Sequence, residues 1–119
     1  MHKYTINAVV LTALIFLPAC SATQSRFSFI GQEYVALSDD APIEVLTEPP
    51  QRPFVKVSRL DVHLEKTHFI GSSLKNALPL LKEQARHSGA NAIMDIKERN
   101  STVGETRIYH VTAIGIKIE

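Results

Sequence analysis

Cysteine is nearly absent from the chain. A single thiol, Cys20, among 119 residues excludes an internal disulfide framework and any zinc cluster built from several cysteines. A charge excess is missing too. Thirteen Lys and Arg stand against 12 Asp and Glu, so there is no electrostatic footprint for nucleic acid or for an anionic membrane surface. The sequence has no P-loop, no dinucleotide fingerprint, no G-x-S-x-G elbow and no H-E-x-x-H pair, and no internal repeat. What is present is globular in composition, 45% hydrophobic and 21% charged, and of a length that bounds it to one domain or part of one.

The amino end reads as an address. Lys3 and the free amine precede a mostly apolar run from Ile6 to Leu17. Those 12 residues fit the ~7–15 of a signal-peptide apolar region. As a helix they would span roughly 18 Å at ~1.5 Å per residue, too short for a hydrocarbon core of ~30 Å. The run ends in Leu17-Pro18-Ala19-Cys20-Ser21, which resembles a bacterial lipobox: an aliphatic residue at −3, a small residue at −1, then cysteine. Pro18 departs from the small or aliphatic residue usual at −2. The other reading is an ordinary Ala-ending cleavage site followed by an unrelated cysteine. The lipobox resemblance implies cleavage before Cys20, a diacylglycerol on its thiol and a further acyl chain on its new amine. Two or three chains anchor stably where one holds only marginally, at about 0.8 kcal/mol per buried CH₂. Ser21 at +2, by the same resemblance, implies transfer to the periplasmic face of the outer membrane. Removal of residues 1–19 takes away Lys3 alone among the charged residues and leaves the side chains balanced.

The expected organisation is a signal peptide over 1–19, lipidated Cys20 with a tether over 20–40, and an α+β domain over 41–119. Ser21-Ala22-Thr23-Gln24-Ser25 is small and polar, and a tether of about 20 residues relaxes to roughly 25 Å. Two apolar patches interrupt it, Phe27–Ile30 and Tyr34–Leu37. They pack on the domain or form a short extended edge, or else Phe27 and Phe29 touch the membrane or a partner.

Ala41–Leu46 reads as a short strand with Ile43 and Val45 on one face, and the proline-rich Thr47–Pro53 as a loop. Phe54–Glu65 reads as a longer strand. Val55 and Val57 hold one phase and Leu60, Val62 and Leu64 the other, with a bulge or bend near Ser58-Arg59. Leu74, Ala77, Leu78, Leu81 and Ala85 make one apolar stripe of a helix ending at Ser88 and closed by Gly89. Pro79 fits its first turn if Asn76 is the N-cap; a start at Ser72 or Ser73 would imply a kink. Ala92–Arg99 is a strand with Ala92, Met94 and Ile96 facing one way. Asn100–Glu105 is a hairpin loop with Gly104 free to take positive φ. Thr106–Ile118 is the last strand, with Ile108, His110, Thr112, Ile114, Ile116 and Ile118 in one phase. Gly115 marks a bend or a close approach of the helix. The fold expected is a two-layer α+β domain of order β-β-α-β-β, its one helix packed on an antiparallel or mixed sheet.

The run Leu81–Ile93, containing Gly89-Ala90-Asn91-Ala92, resembles a helix-to-strand passage of several small bacterial proteins. Among these are the RcsF-type envelope-stress lipoproteins and YbjQ-type proteins, the latter once labelled heavy-metal binders. The resemblance implies a small envelope α+β domain. The stress sensor relies on several cysteines in disulfides, which this chain does not have.

Few residues are candidates for chemistry. A metal site would need His63, His68 or His110 to converge with Asp61 or Glu65. Ser72, His68 and Asp61 could form a Ser/His/Asp set in name only. His63 is expected at the surface and His110 as a satisfied, half-buried histidine. Asp39 and Asp40 read as loop residues, and Lys97, Arg99 and Arg107 as a solvated rim. The expectation is a non-enzymatic lipoprotein with no cofactor and no resident metal; the alternatives are a ligand- or metal-binding periplasmic module and a hydrolase. The lipoprotein's partners would be the membrane, through Cys20, and another envelope component.

Overall fold

A computed structural model describes residues 23–66 and 73–119. The expected signal peptide and Cys20 lie outside the described residues, as do Gly71, Ser72 and His68. One helix packs on a five-stranded mixed sheet. The elements are β1 (Thr23–Phe29), β2 (Glu44–Val45), β3 (Phe54–Lys66), α1 (Leu74–Ser88), β4 (Ala92–Val103) and β5 (Thr106–Ile118). Across the sheet the strands run β1-β3-β5-β4-β2. All neighbours are antiparallel except β2, which pairs in parallel with β4.

The domain begins earlier than the sequence reading put it. Thr23–Phe29, assigned to a tether, is an edge strand paired along its length with Ser58–Leu64 of β3. The order is therefore β-β-β-α-β-β, one strand longer at the amino end. Phe27 and Phe29 meet edge to face, with ring centroids 5.4 Å apart, and both pack against the core. The chain after β1 also lies on the domain: Ile30 N–H donates to Val57 O and Leu37 N–H to Arg86 O, while Arg86 Nε donates to Ala41 O.

The helix covers one face of the sheet. Its buried Ala77, Leu81 and Ala85 meet Leu60, Val62 and Leu64 of β3, Ile93 of β4, and Tyr109, Val111 and Ala113 of β5. Alanines on both layers let the backbones approach closely. A second, smaller cluster of Ala92, Met94, Ile116 and Ile118 takes Leu46 and Phe54 against it. Ile43 joins the helix-covered cluster and Val45 is level with Ile93 of that cluster, so the two share a face as expected, although Val45 at the sheet edge stays exposed.

The helix starts at Ser73, not at Asn76. Ser73 accepts from the N–H groups of Asn76 and Ala77 through its carbonyl, and its hydroxyl donates to Asn76 Oδ1 at 2.7 Å rather than capping the backbone. Pro79 is thus inside the helix. It removes the donor for the Lys75 carbonyl, at a place where both residues are exposed. At the other end Ala90 N–H bonds Ala85 O and Gly89 N–H bonds Arg86 O, the paired bonds of a Schellman closure.

The Gly89-Ala90-Asn91-Ala92 passage is a joint whose residues each have a structural reason. Gly89 takes φ 86°, and a Cβ there would meet Tyr34 Cβ and Val35 O at 2.7 Å. Ala90 is buried beside Gly115. Asn91 acts as one more rung of the sheet: its Oδ1 accepts from Ile118 N–H at 2.9 Å and its Nδ2 donates to Ile118 O at 3.1 Å. Ala92 opens β4 inside the second cluster.

Two bulges set which side chains face which way. In β3 the register slips between Lys56 and Ser58, which buries Val57 while Val55 stays exposed. In β4 it slips between Met94 and Lys97, with Asp95 at φ 58°. The extra residue reverses the phase. Met94 remains in the second cluster, while Ile96 turns to the helix-covered core instead of sharing a face with Ala92 and Met94. The strands of the β4–β5 hairpin run on through Asn100–Val103, expected to be loop. Only Gly104 and Glu105 form the turn, with Val103 paired to Thr106. Gly104 at φ 62° suits the first central position of a type II′ turn.

Candidate functional site: the open face of the sheet

Among the described residues the other face of the sheet is left open by the helix, apart from the end where Leu46 and Phe54 pack on the second cluster, and the registers arrange its side chains in cross-strand rows. Ser28, Arg59 and Ile114 form one row, Arg26, Asp61, Thr112 and Lys97 the next, and Gln24, His63, His110 and Arg99 the third. This brings together residues from four strands and widely separated parts of the chain.

A directed hydrogen-bond chain runs from the third row into the second. Arg99 Nη2 lies 3.0 Å from His110 Nδ1, and His110 Nε2 lies 2.8 Å from Asp61 Oδ1. A guanidinium only donates, so Nδ1 accepts, Nε2 carries the proton and the neutral imidazole donates to Asp61. His110 is the satisfied, half-buried histidine expected of it, and Asp61 is its acceptor. Arg99, read as part of a solvated rim, and the Asp61 carboxylate hold the same tautomer from either side of the ring.

His63 also comes to this face, its ring centroid 6.2 Å from that of His110, and it is half-buried rather than fully exposed. Glu65 Oε1 is 3.7 Å from His63 Nε2, beyond hydrogen-bond length. Asp61, His63, Glu65 and His110 thus share one surface without aiming at a common point. Among the described residues no three His, Cys, Asp or Glu side chains converge as a metal ion would need. Of the nominal Ser/His/Asp set only Asp61 falls within them. Asp39 and Asp40 are exposed in a turn closed by Ala41 N–H on Ser38 O.

Beside the histidine row lies a shallow groove of about 380 Å³, walled by Arg26, Arg59, Asp61, Asp95 and Lys97 over Ile114. Lys97 Nζ is 4.0 Å from Asp95 Oδ2, with both side chains largely exposed, a contact that water screens. Arg26 and Arg59 have no carboxylate partner among the described residues. Two free guanidiniums and an ammonium against two carboxylates suit a ligand that brings negative charge. Arg26 and Arg59 carried no signal in the sequence, because only the β1–β3 register sets them side by side.

The helix-covered face holds a buried polar group beneath this site. Gln84 Oε1 accepts from Asp61 N–H and its Nε2 donates to Asp61 O, both at 2.9 Å, and Nε2 also donates to Ser25 Oγ. The helix thereby grips the backbone of the residue whose carboxylate receives His110. At the distal end Tyr109 donates to Glu98 Oε1 at 2.6 Å. Burial, and then the Glu98 bond and charge, push the Tyr109 phenol well above its usual range.

Comparison of the chain with protein-family models, curated proteins and solved structures returned no match.

Proposed function

We propose that the chain is a bacterial envelope lipoprotein, anchored through Cys20 at the periplasmic face of the outer membrane, whose domain binds another envelope component in a structural, assembly or stress-sensing role. The anchor rests on the lipobox-like Leu17-Pro18-Ala19-Cys20. The observation that carries the binding role is the uncovered sheet face. A groove with two arginines that have no carboxylate partner among the described residues, held by strand pairing, suits recognition. Replacing Cys20 by Ser should abolish labelling with radioactive palmitate and release the protein from the membrane fraction. A photo-cross-linker at Arg59 should trap one discrete envelope species, and the same group at Lys75 on the helix should not. An unlabelled wild type would end the anchor reading; equal trapping at both positions would end the assignment to this face.

The groove favours a second reading, a module that binds a small anionic ligand, since its volume lies within the range of small-molecule sites. Titration with mono- and dicarboxylates or phosphate, followed by shifts of the Arg26 and Arg59 side-chain resonances, separates the two. Saturable shifts lost in Arg59→Ala favour the small ligand.

A further inference from the structure

The strand that follows Cys20 in the sequence starts at one end of the sheet. Thr23, the first residue of β1, is three positions after Cys20, so the chain between them reaches at most about 11 Å at ~3.3–3.6 Å per residue. Thr23 is level with Leu64, Tyr109 and Asn100 across the sheet. Beyond that row the β4–β5 hairpin continues from Asn100 to its turn at Gly104, which is about 13 Å at ~3.3 Å per residue. The hairpin therefore projects, on the anchored end, about as far as the anchor can reach. Its tip carries Val103, 66% exposed, in the uncharged run Asn100–Gly104.

We infer that the tip of the β4–β5 hairpin rests on the phospholipid surface that holds the acyl chains of Cys20, so that the sheet stands end-on to the bilayer. This rests on the lipid anchor proposed above. No long tether lifts the domain away, since β1 begins almost at once and the chain after it is bound to the helix. The open face then looks along the membrane, with the Arg26–Asp61–Thr112–Lys97 row roughly 23 Å above the tip at ~3.3 Å per residue. A partner meeting that row stands beside the protein at the membrane.

The test uses the full, lipidated chain in vesicles of phosphatidylethanolamine and phosphatidylglycerol containing brominated lipid. An acylated Cys20 has no free thiol, so Val103→Cys offers a single position for an environment-sensitive fluorophore; Gln51→Cys labels the far end. A blue shift and loss of emission at 103, with neither at 51, is the expected result. A Gly/Ser spacer of twenty residues between Ala22 and Thr23 should remove the quenching at 103 while leaving the acyl chains in place. Mass spectrometry of the same samples separates the failures. Acylated protein unquenched at 103, quenched equally at 51, or still quenched with the spacer overturns the orientation alone. Protein without acyl chains overturns the anchor and the orientation together.

Discussion

Ser58 donates its hydroxyl to Ser88 Oγ at 2.8 Å, joining β3 to the last turn of the helix. The direction follows from proton count: Ser88 has one hydroxyl proton and gives it to Ala85 O at 2.9 Å, so Ser58 must be the donor. Gly115, opposite Ser58 in the register, makes room for this pair. A Cβ on Gly115 would meet Ser58 Oγ at 2.5 Å and Ala90 Cβ at 3.0 Å.

Gly115→Ala should therefore destabilise the domain by about 1–3 kcal/mol, the usual cost of overpacking. Adding Ser58→Ala removes the nearer obstacle. In chemical denaturation the double variant should be more stable than the sum of the single losses by about 1 kcal/mol. Strict additivity would show that the Gly115–Ser58 contact is not the source of the strain.

Gln84→Ala should cost about 2 kcal/mol, because the half-buried backbone N–H and C=O of Asp61 both lose their Gln84 partner. Hydrogen exchange should quicken at the Asp61 amide far more than at Val111. Uniform quickening across the sheet would point to global destabilisation instead.

Tyr109 links stability to alkaline pH. Its folded-state pKa is raised, so the folded protein holds the phenolic proton more tightly than the unfolded chain does. That contribution is complete below the unfolded value of about 10 and is lost as pH rises beyond it. Tyr109→Phe should lower Tm modestly at neutral pH, through the lost bond to Glu98, and should flatten the decline above pH ~10. Parallel curves for wild type and variant would contradict the assignment.

The Arg99–His110–Asp61 chain predicts a tautomer. Long-range ¹⁵N–¹H spectra at neutral pH should show the His110 proton on Nε2, and should still show it there in Arg99→Ala, because the Asp61 carboxylate can only accept. A proton found on Nδ1 would contradict the chain as described.

Much of the local structure was legible. The apolar stripe marks the helix through Leu74–Ser88, Gly89 closes it, and the change of apolar phase in β3 signals a bulge. Those features depend on residues close in sequence, where a 3.6- or 2-residue period is visible. The Asp95 bulge was not legible, since a single aspartate taking positive φ leaves no periodic mark. It displaced Ile96 from the expected face and placed Lys97 in the groove. The candidate site was legible only in part. His110 and Asp61 were named as polar candidates, but their bond spans two strands, and Arg26, Arg59 and Arg99 join them only through register.

Taken alone, the sequence determined the helix, its closing glycine, the long strands and the lipobox-like run. Tertiary structure decided that Thr23–Phe29 is a strand, because so polar a segment gains its pairing only where β3 offers an edge and Gln84 reaches Ser25. It also decided which face the helix covers. The last strand carries more isoleucine in its His110 phase, yet the helix lies on Tyr109, Val111 and Ala113. The small side chains of Val111 and Ala113 let Ala77 and Ala85 close in on the sheet, and close approach is a property of two surfaces together.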